Sequence, residues 1–198
     1  MIAIVDYQAG NLASVKKALD HLGHATEITS SPQRITRAER IVLPGVGHFS
    51  ATARLEQSGL RTVISDAIAQ SVPFLGICVG MQWMFLGSEE APSIAGLGVF
   101  PGVCSRFNSG VKVPHVGWNI VQQRGSSRLL EGLSSEFFVY YTHSYRAPAI
   151  PESSGTSDYG GTFSAVIENG NLCGVQFHPE KSGEAGLRIL DNFARLSC

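Results

Sequence analysis

The feature that most constrains the fold of this chain is the segment of residues 72–83. Its apolar run 74–77 predicts a short strand buried on both faces, and the apolar spacing that follows predicts a helix directly after it. Cys78 stands at the junction, two residues after Gly76 and two residues before Gly80. This G-x-C-x-G pattern is the thiol counterpart of the G-x-S-x-G elbow, in which glycines allow a sharp turn that lifts a nucleophile out of the sheet. The segment therefore predicts a strand–turn–helix unit that presents a thiol.

A thiol in this position has two interpretations. Free cysteines are usually small buried core residues, which would make Cys78 inert. At a helix N-terminus, in contrast, unpaired N–H groups favour the thiolate, and the N–H of Val79 would point at an oxyanion formed by attack at sulfur. The flanking glycines favour the second interpretation, provided that a base lies elsewhere in the chain. We then expect Cys78 to be the most reactive cysteine at neutral pH.

A candidate base is His178, which follows another apolar strand and stands two residues before Glu180. Pro179 between them keeps His178 extended, and residues two apart in an extended chain point the same way. Glu180 can therefore orient the imidazole while His178 faces the thiol, as in a nucleophile–base–orienter triad. A lone histidine is more often structural than catalytic, but this pattern and the elbow together are more specific than either alone. The sequence predicts catalysis by Cys78, His178 and Glu180.

Composition argues against several classes of function. A net charge of −1, with 16% charged and 43% hydrophobic residues, is typical of a soluble globular protein and gives no basic excess for nucleic acid. The N-terminus lacks a basic leader and no apolar run reaches the length of a membrane span, so we expect no membrane association. At 198 residues the chain fits one domain, residues 1–198.

The cysteines are four, and they stand at Cys78, Cys104, Cys173 and Cys198. Because they form no C-x-x-C pair, neither a zinc site nor a dithiol motif is indicated. The other histidines show no metal-ligand spacing, so we expect no metal. Free thiols in a reducing cytoplasm are the expected state.

The order of the predicted elements indicates a doubly wound α/β domain. Residues 2–5 predict a first strand, which is followed by a turn and an amphipathic helix, and residues 40–43 and 60–68 predict a further strand and helix. Beyond residue 98, strands without long helices between them predict an antiparallel edge on a mixed sheet. These predicted strands are 99–107, 118–121, 137–141, 163–168 and 172–177. The Ser- and Gly-rich stretch 153–161 predicts a loop.

Two motifs carry a resemblance to a known family. Residues 76–82 (Gly-Ile-Cys-Val-Gly-Met-Gln) and 176–182 (Gln-Phe-His-Pro-Glu-Lys-Ser) resemble the signatures of the triad, or class I, glutamine amidotransferases. More narrowly, the whole chain resembles the glutaminase subunits of imidazole glycerol phosphate synthases in histidine biosynthesis. The segments that suggest this narrower group are 44–47, 114–119 and 143–145. The family's first turn usually carries a glycine where this chain has Gln8.

The resemblance implies a fold and an activity. The fold would be flavodoxin-like and three-layered, with a mostly parallel sheet and an antiparallel extension. The chain would hydrolyse L-glutamine to glutamate and ammonia through a Cys78 thioester. The ammonia would pass to a (β/α)8-barrel cyclase, the other subunit of a heterodimer, which makes imidazole glycerol phosphate and the aminoimidazole carboxamide ribonucleotide. No cofactor is implied.

The resemblance also implies roles for residues outside the triad. Val46 and Gly47, in a loop that could otherwise be a simple turn, would form the oxyanion hole with Val79. The residues implied to bind glutamine are Gly47, Gln82, Ser144 and Tyr145. On spacing alone, Gln82 is about equally consistent with a solvent-facing side chain. The residues implied to face the cyclase are Asn11, Lys112, Pro114, His115, Trp118, Asn119 and Lys181.

Rival functions use the same sequence features. A triad amidotransferase of another pathway, a peptidase or a γ-glutamyl hydrolase would keep Cys78 and His178, and assays on glutamine against γ-glutamyl peptides separate the hydrolases. A non-enzymatic interaction module with a flavodoxin-like fold is the second rival. The intact triad argues against it, and failure of a glutamine-analogue affinity label to alkylate Cys78 would favour it.

Overall fold

The computed structural model describes residues 1–196, and most of its secondary-structure elements are β-strands. Its strands are β1 (Ile2–Val5), β2 (Thr26–Thr29), β3 (Arg40–Gly45), β4 (Phe74–Cys78), β5 (Gly87–Ser88), β6 (Val103–Arg106), β7 (His115–Gln123), β8 (Glu136–His143), β9 (Tyr145–Arg146), β10 (Ser153–Asp158), β11 (Thr162–Asn169) and β12 (Leu172–Val175). Its α-helices are α1 (Leu12–His21), α2 (Pro32–Thr36), α3 (Ala53–Gln57), α4 (Leu60–Ala69), α5 (Val79–Gln82) and α6 (Gly183–Arg195). Single 3₁₀ turns lie at Phe49–Thr52 and Pro179–Lys181.

Nine of the strands form one mixed sheet in the order β2-β1-β3-β4-β12-β11-β10-β7-β8. The first five in that order run parallel to one another, and each pairing from β12 onward is antiparallel. A smaller sheet has the order β5-β6-β9. This arrangement confirms the predicted α/β fold, including the antiparallel extension.

Strand β4 lies at the centre of the parallel half, between β3 and β12. All five of its residues are buried, as expected for a parallel strand that is covered on both faces. The predicted strand 74–77 is therefore confirmed, and it extends one residue further, to Cys78. The carboxyl end of a central parallel strand is the usual place for a ligand in such a sheet.

The three longest helices bury apolar faces against the sheet. Residues Val15 and Leu19 of α1 are buried, as are Ile64 of α4 and Phe193 of α6. The two helices predicted from apolar spacing, the one after the first strand and the one at 60–68, are therefore confirmed. Within residues 1–196, no helix is long and apolar enough to span a bilayer.

Two predictions in the second half of the chain, one of a strand and one of a loop, need correction. Of residues 99–107, only Val103–Arg106 form a strand. Residues 153–161 were predicted as a loop, but β10 occupies the interior of the sheet between β11 and β7. Two of its buried polar side chains pair with hydroxyls of other strands, Ser153 with Ser164 at 2.6 Å and Ser157 with Tyr141 at 2.7 Å. Those partners lie far away in the sequence, so the local composition resembles that of a loop.

Candidate active site

The predicted elbow is confirmed by the backbone around Cys78. This residue has φ 54° and ψ −108°, a conformation that is rare for a non-glycine residue, and α5 begins directly after it. A Cβ atom on Gly76 would lie 2.5 Å from the carbonyl oxygen of Gly80, and a Cβ on Gly80 would lie 1.9 Å from that of Leu43. Both glycines are therefore needed for α5 to pack this closely on β4 and β3. Helix α5 is only four residues long.

His178 and Glu180 lie together just beyond β12. The Nδ1 atom of His178 is 3.0 Å from Oε1 of Glu180, and both side chains are buried. The extended geometry expected around Pro179 holds for His178 itself, with φ −99° and ψ 96°, but residues Pro179–Lys181 form a 3₁₀ turn. The contact is therefore made across a turn and not along an extended strand, because the N–H of Lys181 bonds back to the carbonyl oxygen of His178.

The electrostatics of His178 favour the imidazolium. Burial alone would lower the pKa of His178, but the neighbouring Cys78 and Glu180 outweigh burial and raise the pKa from its ordinary 6.5 to about 10. Asn11 donates a hydrogen bond of 3.3 Å to Oε1 of Glu180, so it helps to hold the carboxylate. The Nε2 atom of His178, on the opposite side of the ring, has no hydrogen-bond partner within residues 1–196 and is available for chemistry.

A cavity of about 250 Å³ connects the elbow with His178. The residues that line it are Val46, Gly47, Cys78, Val79, Gln82, Glu90, Pro114, Thr142, His143, Ser144 and His178. It thus brings together the predicted nucleophile and base, the three predicted oxyanion-hole residues, and three of the four predicted glutamine-binding residues. A concave site with a few convergent polar groups is the usual form of a small-molecule site.

Tyr145 is the predicted glutamine-binding residue that does not line the cavity. Its carbonyl oxygen accepts hydrogen bonds from Nε2 of Gln82 at 2.8 Å and from Nδ1 of His143 at 2.9 Å. Gln82 is buried and points toward the site, so the solvent-facing alternative for this residue is wrong. Together these contacts fix the backbone beside the cavity.

Sequence reasoning missed two polar side chains in the site. Glu90 is half-buried, lines the cavity and accepts a 2.7 Å bond from the N–H of Phe49. Gln176 is completely buried, with its Nε2 atom 3.7 Å from Sγ of Cys78. Gln176 lies within the His-Pro-Glu motif region, and its polarity in an apolar run was the signal that could have identified it.

The other cysteines contrast with Cys78. Cys104 and Cys173 are fully buried away from the cavity, and burial raises the pKa of both thiols above the ordinary value. Neither borders the cavity that contains His178. Cys198 lies outside the described residues.

Strands β7 and β8 expose a continuous apolar surface, here called the β7–β8 face, formed by Val116, Trp118, Phe138 and Tyr140. Trp118 is 57% exposed and Phe138 is 60% exposed, while Trp118 packs edge-on against Tyr140. The Lys181 ammonium lies 5.9 Å from the Tyr140 ring. Phe138 is not among the residues predicted to face the cyclase. It lies in β8, a strand at the end of the sheet with apolar residues on both faces, and this pattern could have identified it.

The predicted partner-facing residues do not all lie on that surface. Lys112 and Pro114 are exposed, and Asn119 is half-buried. His115 is only 4% exposed and is stacked between the rings of Tyr141 and Tyr159, so its assignment to a partner surface is wrong. Successive residues of a strand face opposite sides of the sheet, so the side chain of His115 points inward while those of Val116 and Trp118 point outward.

His115 instead forms a buried chain with His143. Nδ1 of His143 faces the carbonyl oxygen of Tyr145, which can only accept, so this nitrogen carries the proton. Nε2 of His143 is then an acceptor, and the proton of the 3.0 Å His115–His143 contact belongs to Nδ1 of His115. Burial is the main reason that the pKa of His115 falls to about 4 and that of His143 to about 3.

The fold is that of a known class of enzyme. The family model described as glutamine amidotransferase class-I matches residues 3–196. A solved structure described as a glutamine amidotransferase matches with a TM-score of 0.77 over 99% of this chain and 100% of its own, at 17% identity. The structure of PurLQS from Thermotoga maritima matches with a TM-score of 0.76 over 97% and 96% of the two chains, at 18% identity. At such identities these two structures show the fold alone.

Similar sequences narrow the class further. The imidazole glycerol phosphate synthase subunit HisH of Thermococcus kodakarensis is 50% identical over 205 residues, which cover 99% of this chain and all of the relative. The subunit of the same name from Moorella thermoacetica is 47% identical, over 98% of this chain and 94% of the relative. The chloroplastic hisHF protein of Arabidopsis thaliana is 42% identical over 98% of this chain and 34% of its own length. The chain therefore belongs to the HisH family of class I glutamine amidotransferases.

Proposed function

We propose that the chain is the glutaminase subunit of an imidazole glycerol phosphate synthase, with Cys78, His178 and Glu180 as its catalytic triad. The observation that carries the proposal is the cavity, which is bordered by both the elbow cysteine and the histidine that Glu180 orients. The identity of 42–50% to HisH proteins over nearly the whole chain supports this pathway over others. The protein would act in a reducing cytoplasm, where Cys78 does not form a disulfide.

Acylation begins from a Cys78 thiolate and a His178 imidazolium, the state that the raised pKa of His178 supports. The sulfur attacks the side-chain carboxamide carbon of L-glutamine, and its oxygen becomes an oxyanion. Backbone N–H groups of Val79 and of the loop at Val46 and Gly47 stabilise this charge. His178 then gives its proton to the nitrogen, ammonia leaves, and a γ-glutamyl thioester remains on Cys78.

Deacylation uses the same groups in the opposite sense. His178, now neutral, takes a proton from water as the water oxygen bonds to the thioester carbon. The carbon–sulfur bond breaks, glutamate is released, and the thiolate–imidazolium pair is restored. Glu180 keeps the ring oriented and stabilises its cationic form without taking the proton.

The walls of the cavity suit the rest of the substrate. The Glu90 carboxylate lies among the lining groups and would attract the α-ammonium group of glutamine. The backbone at Ser144, held through the Tyr145 carbonyl by Gln82 and His143, would bind the α-carboxylate. No cofactor is required by this chemistry.

The ammonia needs a partner, because it would be lost by diffusion and protonation in water. We assign the β7–β8 face to the docking of a (β/α)8-barrel cyclase in a heterodimer, with Lys181 next to its Tyr140 ring. Lys112 and Pro114 are exposed just before β7 and are assigned to the same contact. Asn119 faces the side of β7 that carries His115, away from this face. Exposed aromatic side chains are frequent interface anchors. An apolar patch of this kind on one side of a chain is also typical of a protein contact.

The test separates ammonia production from its use. In a complex with the cyclase, Cys78→Ala is expected to abolish synthesis with glutamine as nitrogen source and to retain synthesis driven by ammonium at alkaline pH. Cys173→Ala is the matched control and should retain both reactions. Loss of the ammonium-driven reaction in an assembled Cys78→Ala complex would contradict the proposal.

A further inference from the structure

A chain of amide groups runs from the edge of the cavity to the nucleophile. Nε2 of Gln82 lies 2.8 Å from the carbonyl oxygen of Tyr145 and 3.2 Å from Oε1 of Gln176. Nε2 of Gln176 lies 3.7 Å from Sγ of Cys78. Gln82 and Gln176 are both buried, so water does not compete for these contacts.

The direction of the chain follows from hydrogen-bond chemistry. The carbonyl oxygen of Tyr145 has no hydrogen to give, so the Gln82 atom that faces it must be the amide nitrogen. The second N–H of that nitrogen meets Gln176, whose oxygen must therefore point toward Gln82. The Gln176 nitrogen is then left facing Cys78, and an N–H donor is directed at the sulfur.

We propose that Gln176 is a further catalytic residue, whose side-chain amide donates a hydrogen bond to the Cys78 sulfur and stabilises it as the thiolate. The role deepens the glutaminase function proposed above and rests on it. A hydrogen bond to an ionised acceptor is stronger than one to a neutral acceptor, so this donor favours the thiolate over the thiol. Gln82 is the positioning residue that keeps the Gln176 amide in the required orientation.

The donor acts when the sulfur carries charge. At rest it holds the thiolate in place beside His178. In the thioester the sulfur is neutral and the interaction is weak. During deacylation, water adds to the thioester carbon, His178 takes one proton from the water, and the carbon–sulfur bond breaks with its electron pair moving to sulfur. The amide N–H then stabilises the leaving thiolate, so we expect Gln176 to contribute to the second half-reaction as well.

Other titratable groups also face the sulfur, and none of them belongs to the amide chain. His178 approaches from the segment after β12, with Glu180 behind it. Tyr7, after β1, interacts electrostatically with Cys78, while Glu90 and His143 line the far walls of the cavity. These groups are unchanged in the variants below, so a difference between variants reports on the amide chain.

The test is the pH dependence of Cys78 alkylation by iodoacetamide, followed by peptide mapping, in the full chain. Gln176→Met removes the donor at similar side-chain volume and is expected to raise the midpoint of the rate profile by about one pH unit, since a hydrogen bond to a charged group is worth about that much. Gln82→Met leaves the donor present but unoriented, and it should raise the midpoint by a smaller amount. Gln122→Met, at an exposed position near the end of β7, should leave the midpoint unchanged.

The outcomes are separable from those of the proposed function. A folded Gln176→Met chain with the wild-type midpoint would overturn the role of Gln176, while glutamine hydrolysis by the wild-type complex would still stand. If Gln176→Met does not fold, the Gln82→Met profile decides, and a wild-type midpoint there overturns the proposal. A purely structural role would lower the melting temperature without shifting the midpoint.

Discussion

At the scale of single residues, the site depends on how the Glu180 carboxylate holds the imidazole of His178. Oε1 of Glu180 receives the Nδ1–H of His178 and the side-chain N–H of Asn11, so the carboxylate has little freedom to rotate. The opposite nitrogen of His178 has no hydrogen-bond partner within residues 1–196, and this residue borders the same cavity as Cys78. Asn11 is predicted to face a partner, and in the structure its side chain also donates to Oε1 of Glu180.

The first prediction compares the orienter with the base. Glu180→Gln retains an oxygen that can accept from His178 but loses the charge, whereas His178→Ala removes the group that moves the proton. General acid–base catalysis contributes about 10²–10⁴-fold, so glutamine-dependent turnover of the complex should fall by that order in His178→Ala and by less in Glu180→Gln. Glu184→Gln, an exposed carboxylate in α6, is the matched control. Equal losses in the two triad variants would mean that Glu180 has a different role.

The second prediction concerns acid stability and the buried His115–His143 pair. Because burial lowers the pKa of His115 to about 4, the unfolded chain binds a proton at that histidine near pH 6.5 while the folded chain does not. Stability is therefore complete above about pH 6.5 and is lost as the pH falls from there toward about 4. Urea unfolding at pH 7 and pH 5 should show a loss that is about 2 kcal/mol smaller in His115→Gln than in the wild type.

The control for this prediction is His21→Gln, which replaces an exposed histidine at the end of α1. Its loss of stability between the two pH values should equal that of the wild type. An unchanged pH dependence in His115→Gln would show that the buried pair does not set the acid limit.

At the scale of secondary-structure elements, the elbow depends on the distance between α5 and the strands beneath it. The third prediction is that Gly80→Ala destabilises the protein by about 1–3 kcal/mol, because the new methyl group would overlap the Leu43 carbonyl oxygen. It should also slow alkylation of Cys78, since α5 must move away from β4. Gly110→Ala, whose Cβ would meet nothing closer than Asn108 Oδ1 at 3.6 Å, is the control for measurements by urea unfolding. Wild-type stability in Gly80→Ala would contradict the close packing.

The elements differ in how far they could be predicted from sequence. The β4–α5 unit was predictable because its signals are local: an apolar run, two glycines and the residue between them. Strand β10 was not, because Ser153 and Ser157 are stabilised in the sheet by Ser164 and Tyr141, which only the tertiary fold brings near. Tertiary context overrides local propensity most strongly for such polar strands.

The site, too, could be predicted from the sequence only where the signals are local. Spacing and resemblance predicted the Cys78, His178 and Glu180 set, since each lies beside a strand end that a local motif marks. The contact of Gln176 with the sulfur depends on the parallel pairing of β12 with β4, which places Val175 opposite Ile77. Glu90 reaches the cavity through an irregular segment whose path no periodicity predicts. The polarity of Gln176 within an apolar run marks it in the sequence, but its contact with Cys78 and the position of Glu90 depend on the pairing of distant segments.

At the scale of the whole molecule, the site and the β7–β8 face are parts of one surface region. Lys181 follows the triad in sequence and contacts the Tyr140 ring, and Pro114 precedes β7 and lines the cavity. A protein bound to the β7–β8 face would therefore lie close to the cavity.

The fourth prediction tests that arrangement. Phe138→Ala and Trp118→Ala should each weaken binding of the cyclase by about tenfold or more if they are interface anchors, which corresponds to about 1.4 kcal/mol. Leu86→Ala removes an equally exposed apolar side chain from another part of the surface and should leave the dissociation constant unchanged. Titration calorimetry measures all three, and equal affinities would place the partner elsewhere.

The position of β8 at the end of the sheet has a consequence for self-association. An end strand exposes unpaired backbone groups on which a strand of another copy can add. At Tyr140 this edge is covered by the segment that carries His178: the carbonyl oxygen accepts from the N–H of His178 at 2.9 Å, and the N–H donates to Oγ of Ser182 at 3.0 Å. Both backbone groups that another strand would need at this residue are therefore occupied. Movement of His178 away from β8 would free the Tyr140 carbonyl oxygen to pair with a strand of another copy.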